Sequence, residues 1–151
     1  MLDWVSMIPA FEDAIFGFSG ETGFLSNFTP CEVTFDSQLY PSVEHAYQAA
    51  KTYDLDHRST IKLAYSAGHA KRLGKQLVLR SNWNSIRIDI MRDLLIQKFN
   101  IPEMRGLLLD TGDKYIEETN SWGDTFWGVC NGVGNNVLGN LLMEIRTRLH
   151  D

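Results

Sequence analysis

The chain has 151 residues, 44% of them hydrophobic and 11% aromatic, with 14 Lys or Arg against 19 Asp or Glu for a formal charge of −5. That length predicts a single domain with a sizeable core. The acidic balance argues against nonspecific nucleic-acid binding, which needs many cationic contacts to phosphate. Cys31 and Cys130 stand far apart and suggest neither a disulfide framework nor a zinc site, and no His/Cys/Asp cluster has metal-ligand spacing. The opening Met1-Leu2-Asp3-Trp4 lacks signal-peptide character. No run approaches the roughly 18 apolar residues of a membrane helix. A cytoplasmic protein that does not enter a membrane is expected.

In chain order, Trp4, Val5, Met7, Ile8 and Phe11 are suited to a packed N-terminal arm. Ala14 to Phe18 predicts a short strand closed by Ser19-Gly20. Residues 24–30 read as a loop in which Phe24 and Phe28 are buried. Cys31 to Phe35 alternates as a strand, Asp36-Ser37 turns the chain, and Gln38-Leu39-Tyr40 follows as a second strand. Pro41 and Ser42 then open a helix that runs to near Tyr53, with Ser42 as its N-cap. His57 to Ala64 predicts a short helix, and Ser66 caps another ending near Gly74. Asn82 to Asn100 is the longest helical pattern, with Trp83, Ile86, Ile90, Leu94 and Phe99 near helical spacing. Pro102 opens a helix over 102–110, with Gly112 beyond its end. Lys114 to Thr119 reads as a strand, and Val137 to Leu149 as the last helix. The composite is α+β: one mainly helical domain with a small, largely antiparallel sheet. The order lacks βαβ alternation, which argues against a doubly wound sheet.

Three runs carry chemistry. In Tyr40-Pro41-Ser42-Val43-Glu44-His45-Ala46-Tyr47-Gln48-Ala49-Ala50-Lys51, the residues Glu44, Gln48 and Lys51 recur at i, i+4 and i+7 and share a helix face. Ala46, Ala49 and Ala50 between them add little bulk, so this helix can approach another surface closely or line a pocket. The structural alternative is a first-turn acid favoured by the helix dipole and a solvated lysine. The second run, Asn120-Ser121-Trp122-Gly123-Asp124-Thr125-Phe126-Trp127-Gly128, places two Trp and a Phe beside a carboxylate. It suits an aromatic wall for a base or sugar, or else a core plug with Asp124 capping a turn. The third, Asn131-Gly132-Val133-Gly134-Asn135-Asn136-Val137-Leu138-Gly139-Asn140, leads into a helix. It reads as an anion-binding or capping loop, since no βαβ unit can follow it. His69, Lys71, Arg72, Lys75 and Arg80 form a local basic cluster, which a solvated helix face explains equally well.

Together these runs resemble the YbiA-like family, also called the NADAR domain. The matching pieces are Phe24-Leu25-Ser26-Asn27-Phe28, the run from Tyr40 to Ala49 with Lys51, Ala70-Lys71-Arg72-Leu73-Gly74, Trp83, Lys98-Phe99, Leu107 to Asp113, Asp124 with Trp127-Gly128, and Gly134 to Met143. They span about residues 16 to 149 in order. Trp122 beside Asp124 is a local departure. The resemblance implies an N-glycosidase that hydrolyses a ribose C1′–N bond, with no cofactor and no metal. The implied substrates are a phosphorylated ribosylamino-pyrimidine of riboflavin synthesis or an ADP-ribosylated guanine, free or in nucleic acid. A non-catalytic module that binds ADP-ribose or NAD is the competing class, and oligomeric state stays open.

Cleaving a ribosyl C–N bond develops positive charge at C1′ and negative charge on the base, which calls for a carboxylate near the sugar. Glu44 is assigned as acid/base or water activator, and Asp124 as the group that orients ribose or stabilises charge. Lys51 is assigned to phosphate binding or to attack on C1′ through an imine. Trp83 and Trp127 are candidate stacking surfaces. Asn27 and Asn136 are candidate hydroxyl or phosphate ligands, and Phe28, Gln48 and Gly128 complete the substrate-binding set.

Overall fold

The computed structural model describes residues 13–151, so the N-terminal arm expected from Trp4 to Phe11 lies outside the described residues. The described chain divides into two compact parts: residues 27–104, and residues 13–26 together with 105–151. The architecture is α+β and mainly helical, as the sequence implies. The strands form three separate two-stranded ladders, of which the longest is antiparallel and the other two parallel. A sheet of sequential hairpins is what local turn signals suggest, whereas the parallel pairs are set by contacts distant in sequence.

Within residues 27–104, β2 (Pro30–Phe35) and β3 (Gln38–Ser42) form the hairpin. Its two turn residues, Asp36 and Ser37, both take positive φ (47° and 65°), the two-residue geometry whose twist suits paired strands. Arg58 of α2 (Leu55–Lys62) secures this turn, donating to the Asp36 carboxylate at 2.7 Å and to the Thr52 carbonyl at 2.7 Å. The helix α2 starts earlier than His57 because the Asp54 side chain accepts the N–H groups of Asp56 and His57.

The strand β3 passes directly into α1 (Val43–Ala50), whose first turn is capped by the Ser42 hydroxyl accepting the His45 N–H at 3.1 Å. The helix ends at Ala50 rather than near Tyr53, and Lys51 is its C-cap. All eight of its residues are buried. Both hairpin strands pack around it, with α2, α3 (Ala67–Gly74) and α4 (Trp83–Asn100). The alanines expected to permit close approach do so: Ala46, Ala49 and Ala50 have no exposed surface. His45 joins two elements, its Nε2 lying 3.1 Å from the Ala64 carbonyl and its Nδ1 2.6 Å from the Ser42 hydroxyl. The carbonyl can only accept, so Nε2 carries a proton. Burial lowers the ring's pKa, which favours its neutral form.

In the other part, β1 (Ala14–Phe16) runs parallel to β4 (Tyr115–Glu117), with Ile15 opposite Ile116. α6 (Val137–Leu149) packs on β4, and Gly139 lies so near the Ile116 carbonyl that a Cβ there would overlap it. β5 (Thr119–Asn120) pairs in parallel with β6 (Val129–Cys130). α5 (Pro102–Asp110) has the expected Gly112 after its end, at φ 62°.

Lys98 of α4 is fully buried, and its burial pulls the pKa from 10.5 to about 8, with the Cys31 thiol acting weakly the other way. Between those values the unfolded chain binds more protons than the folded one. Stability therefore rises with pH across this window, and the cost of burying the ammonium is complete below about pH 8. Chemical unfolding from about pH 7.5 to about pH 10 should show a gain on the order of 3 kcal/mol, which Lys98→Met lacks. An equal rise in that variant would assign the effect to other groups.

Candidate active site

Of the ten candidate residues, Asn27, Phe28, Glu44, Gln48, Lys51 and Trp83 lie in residues 27–104, and Asp124, Trp127, Gly128 and Asn136 in residues 105–151. The face shared by Glu44, Gln48 and Lys51 exists, but it is not a solvated face. Glu44 is 7% exposed and Gln48 4%. The Gln48 Nε2 donates to Glu44 Oε1 at 2.7 Å. Asn27 meets the same turn from the side, its carbonyl accepting the Glu44 N–H at 3.1 Å. Two buried side-chain acceptors on residues bonded to Glu44, Gln48 Oε1 and Asn27 Oδ1, have no hydrogen-bond partner. Buried polar atoms are normally paired, which sets these two apart.

Lys51 is half-buried at the end of this face. Burial lowers its pKa, the Glu44 charge acts the other way, and Lys71 and Lys75 lower it further. A depressed ammonium pKa raises the fraction of free amine, the form that can attack a carbon or take a proton. Phe28, expected in the interior, is 43% exposed, with the Lys71 ammonium 6.0 Å from its ring centre. The interior position falls to Leu25 instead. Trp83 is 4% exposed and packs against Tyr47 at 5.1 Å between ring centres. It supports the helix that carries Glu44 from behind, which is a different task from presenting a stacking face.

The second group is largely held by its own backbone. Asp124 Oδ1 accepts the N–H groups of Phe126 (3.1 Å) and Trp127 (2.9 Å), so this oxygen caps a turn. Trp127 is half-buried, edge-on to Phe126 at 4.9 Å, while Trp122 is 62% exposed. Gly128 is buried because a Cβ there would overlap the Glu118 side chain and carbonyl. The Asn136 side chain accepts the Glu118 N–H at 2.9 Å and donates to the Ile116 carbonyl at 2.9 Å, tying α6 to β4. The N–H groups of Asn135, Asn136, Val137 and Leu138 go to the carbonyls of Thr125, Gly128, Phe126 and Trp127. The loop before α6 is thus a capping loop: the donors an anion would need are used within the chain.

A family model described as the NADAR domain matches residues 16–150, so the chain belongs to the NADAR domain family. By class it is an N-glycosidase: it is 38% identical to the N-glycosidase YbiA of Escherichia coli over 91% of this chain and 90% of that protein. It is 35% identical to an N-glycosidase of Nostoc punctiforme, over 85% of this chain and 86% of that one. A riboflavin biosynthesis protein of Vibrio vulnificus is 40% identical over 85% of this chain, which spans 36% of that longer protein. The NMR structure of Escherichia coli YbiA matches with a TM-score of 0.79 at 36% identity, covering 91% of this chain and 86% of that one. Among the described residues no helix is long and apolar enough to cross a membrane.

One residue of the Glu44 face carries no chemical signal in the sequence. Gly74, the last residue of α3, lies against Gln48 so closely that a Cβ would overlap Gln48 Oε1 and come within 2.6 Å of its Cδ. The available hint is the small pair Ala70 and Gly74, one helical turn apart. Gly74→Ala should turn Gln48 away from Glu44 and lower kcat/KM by about tenfold or more, with a stability cost of about 1–3 kcal/mol from overpacking. Adding Gln48→Ala should restore stability and leave activity low. Full activity in Gly74→Ala would show that the Gln48 position is immaterial.

Proposed function

We propose that this N-glycosidase hydrolyses the C1′–N bond of a phosphorylated ribosylamino-pyrimidine, an intermediate of riboflavin synthesis, on the face carried by α1. The observation that carries the reading is the buried Glu44–Gln48 pair, with unpartnered acceptors, Gln48 Oε1 and Asn27 Oδ1, on two residues bonded to Glu44. The names of the Vibrio vulnificus and Zea mays relatives, both riboflavin biosynthesis proteins, support the substrate class. A module that only holds ADP-ribose has no need of a desolvated carboxylate, and burying one is costly.

In this scheme the amide acceptors take sugar hydroxyl protons and Gln48 Nε2 keeps the Glu44 carboxylate in one orientation. The C1′–N bond breaks, and the departing base keeps its electron pair and gains a proton. Glu44 takes a proton from the attacking water as the new C1′–O bond forms. Lys51 supplies positive charge nearby. Its depressed pKa also supports a second route, in which the Lys51 amine adds to C1′ of the ring-opened sugar. The C1′–N bond to the base breaks as the base leaves with the proton given up by the lysine nitrogen, and water hydrolyses the resulting imine to free lysine and the sugar aldehyde.

The test is a mass-spectrometric cleavage panel of the ribosylamino-pyrimidine 5-phosphate, NAD, and ADP-ribosylated guanosine with its oligonucleotide form. Wild type should release base and ribose phosphate from the pyrimidine. Glu44→Gln, which keeps shape and removes charge, should lose about 10²–10⁴-fold in rate. Near-normal turnover would remove Glu44 from the mechanism, and preferential cleavage of another panel member would replace the substrate. Borohydride added during turnover decides the route: a trapped sugar adduct on wild type and none on Lys51→Arg establishes the imine. Asp124→Asn belongs in the same panel, because the amide preserves the Oδ1 turn contacts and isolates the charge. A rate loss in that variant without a shift in melting temperature would assign the Asp124 carboxylate a chemical role.

A further inference from the structure

Residues 51–80 hold seven Lys or Arg and two Asp, a local charge of +5 in a chain whose net charge is −5. Most of these cations have identifiable tasks. Arg58 secures the hairpin turn and Lys62 reaches Gln38 at 3.3 Å. Arg72 donates to the Tyr65 hydroxyl at 2.8 Å. Arg80 lies 3.9 Å from the centre of the Tyr53 ring and donates to the Ala50 carbonyl. Asp54 is committed to capping α2. Lys51, Lys71 and Lys75 form a further group, in which Lys71 also lies 6.0 Å from the Phe28 ring centre. Lys71 and Lys75 are one turn apart on α3 and share a face. α3 packs on α1 through the Gly74–Gln48 contact, which sets that face beside the end of α1 where Lys51 is the C-cap.

Both lysines act electrostatically on Lys51, and Glu44 is the carboxylate that opposes them there. At Lys51 two ammonium groups thus act against one carboxylate, and the lysines cluster positive charge there. Such a cluster beside a desolvated site favours a dianion, and lysine ammoniums are good partners for phosphate oxygens. The alternative anion site, the N-terminus of α6, has its donors occupied by carbonyls of residues 125–128. We propose that Lys51, Lys71 and Lys75, at the junction of α1 and α3, form the subsite for a phosphate monoester or diphosphate carried on the ribose, with the Phe28 ring beneath Lys71. The assignment rests on reading the Glu44 face as the sugar site, and it places the sugar's phosphate end toward α3.

The test is calorimetric binding of inorganic pyrophosphate and of ribose 5-phosphate to the whole protein. It compares wild type, Lys71→Gln/Lys75→Gln, and Lys62→Gln as a lysine control on α2. Both ligands should bind wild type and Lys62→Gln alike, with affinity falling as salt rises. The double variant should bind at least about tenfold more weakly. Circular dichroism verifies its fold, and Lys71→Arg/Lys75→Arg should recover most of the affinity. Equal affinity in the double variant would overturn the assignment. So would a single-stranded oligonucleotide that binds more tightly than pyrophosphate and is lost in Tyr53→Ala/Tyr65→Ala but not in the lysine variant, since this face would then be a strand-binding surface. Because binding is read without turnover, a lysine-dependent pyrophosphate site on a protein that cleaves no pyrimidine would uphold the subsite and reject the substrate.

Discussion

The burial of α1 on every side is the constraint on which residues 27–104 depend. An eight-residue helix is too short to be stable alone in water, and this one contains Glu44, His45 and Gln48 in its interior-facing turns. Each polar group must therefore find a partner inside the protein or leave an energetic debt. His45 is fully provided for by Ser42 and Ala64. The hairpin exists in part to deliver Ser42 to that position, and Arg58 holds the hairpin's far end. Glu44 is treated differently. Its Oε1 accepts from Gln48, while Gln48 Oε1 and Asn27 Oδ1 are left without a partner. A bound sugar with several hydroxyl donors could supply those two acceptors.

The elements that the sequence defines well are those closed by local chemistry. Ser42, Ser66 and Pro102 open helices where their capping or φ preferences put them, and α6 covers Val137–Leu149 as its periodicity requires. The strand partners are a different matter. β1 meets β4 across the whole of residues 27–104, and nothing local in Ala14-Ile15-Phe16 specifies Tyr115-Ile116-Glu117 as its neighbour. Among the candidate site residues, the common face of Glu44, Gln48 and Lys51 follows from helical spacing alone. Its burial does not, because a charged residue in a first turn is ordinarily solvated and only tertiary packing can reverse that. Trp83 and Asn136 show the same limit from the other side. An indole can be a stacking surface or a core block, and an amide can bind a ligand or a strand. The choice is made by contacts with Tyr47 and Ile116 that spacing does not encode.

Glycine explains much of the remaining architecture by permitting backbone approach. Gly139 admits the Ile116 carbonyl, and Gly128 and Gly134 let the segment before α6 lie on residues 118 and 128–129. The carbonyls of 125–128 then terminate the N–H groups at the start of α6. A glycine-rich run ahead of a helix therefore has two physical uses that look alike in sequence. One exposes donors to an anion, and the other brings acceptors close enough to consume them. The second is realised in this chain, which removes the helix N-terminus from consideration as a phosphate site.

That removal sharpens the electrostatic problem that the proposed phosphorylated-sugar substrate poses for an acidic protein. With a net charge of −5, long-range steering does not favour an anionic substrate, so attraction must be generated locally. The chain does this by concentrating its cations in residues 51–80 and then committing Arg58, Arg72 and Arg80 to hydroxyls, carbonyls and one carboxylate. The guanidinium groups, with their fixed geometry, serve as fasteners. Among the ammonium groups, flexible point charges whose pKa shifts readily on burial, Lys51 is coupled to Glu44, Lys71 and Lys75. Burial is the main cause of the lowered Lys51 pKa, and the charges of Lys71 and Lys75 add to it: the field that would hold a phosphate also makes this amine easier to deprotonate. Phosphate binding and amine reactivity at Lys51 are therefore in opposition. A bound dianion would raise the Lys51 pKa again, and its departure would lower it, so the protonation of this lysine is coupled to occupancy of the site.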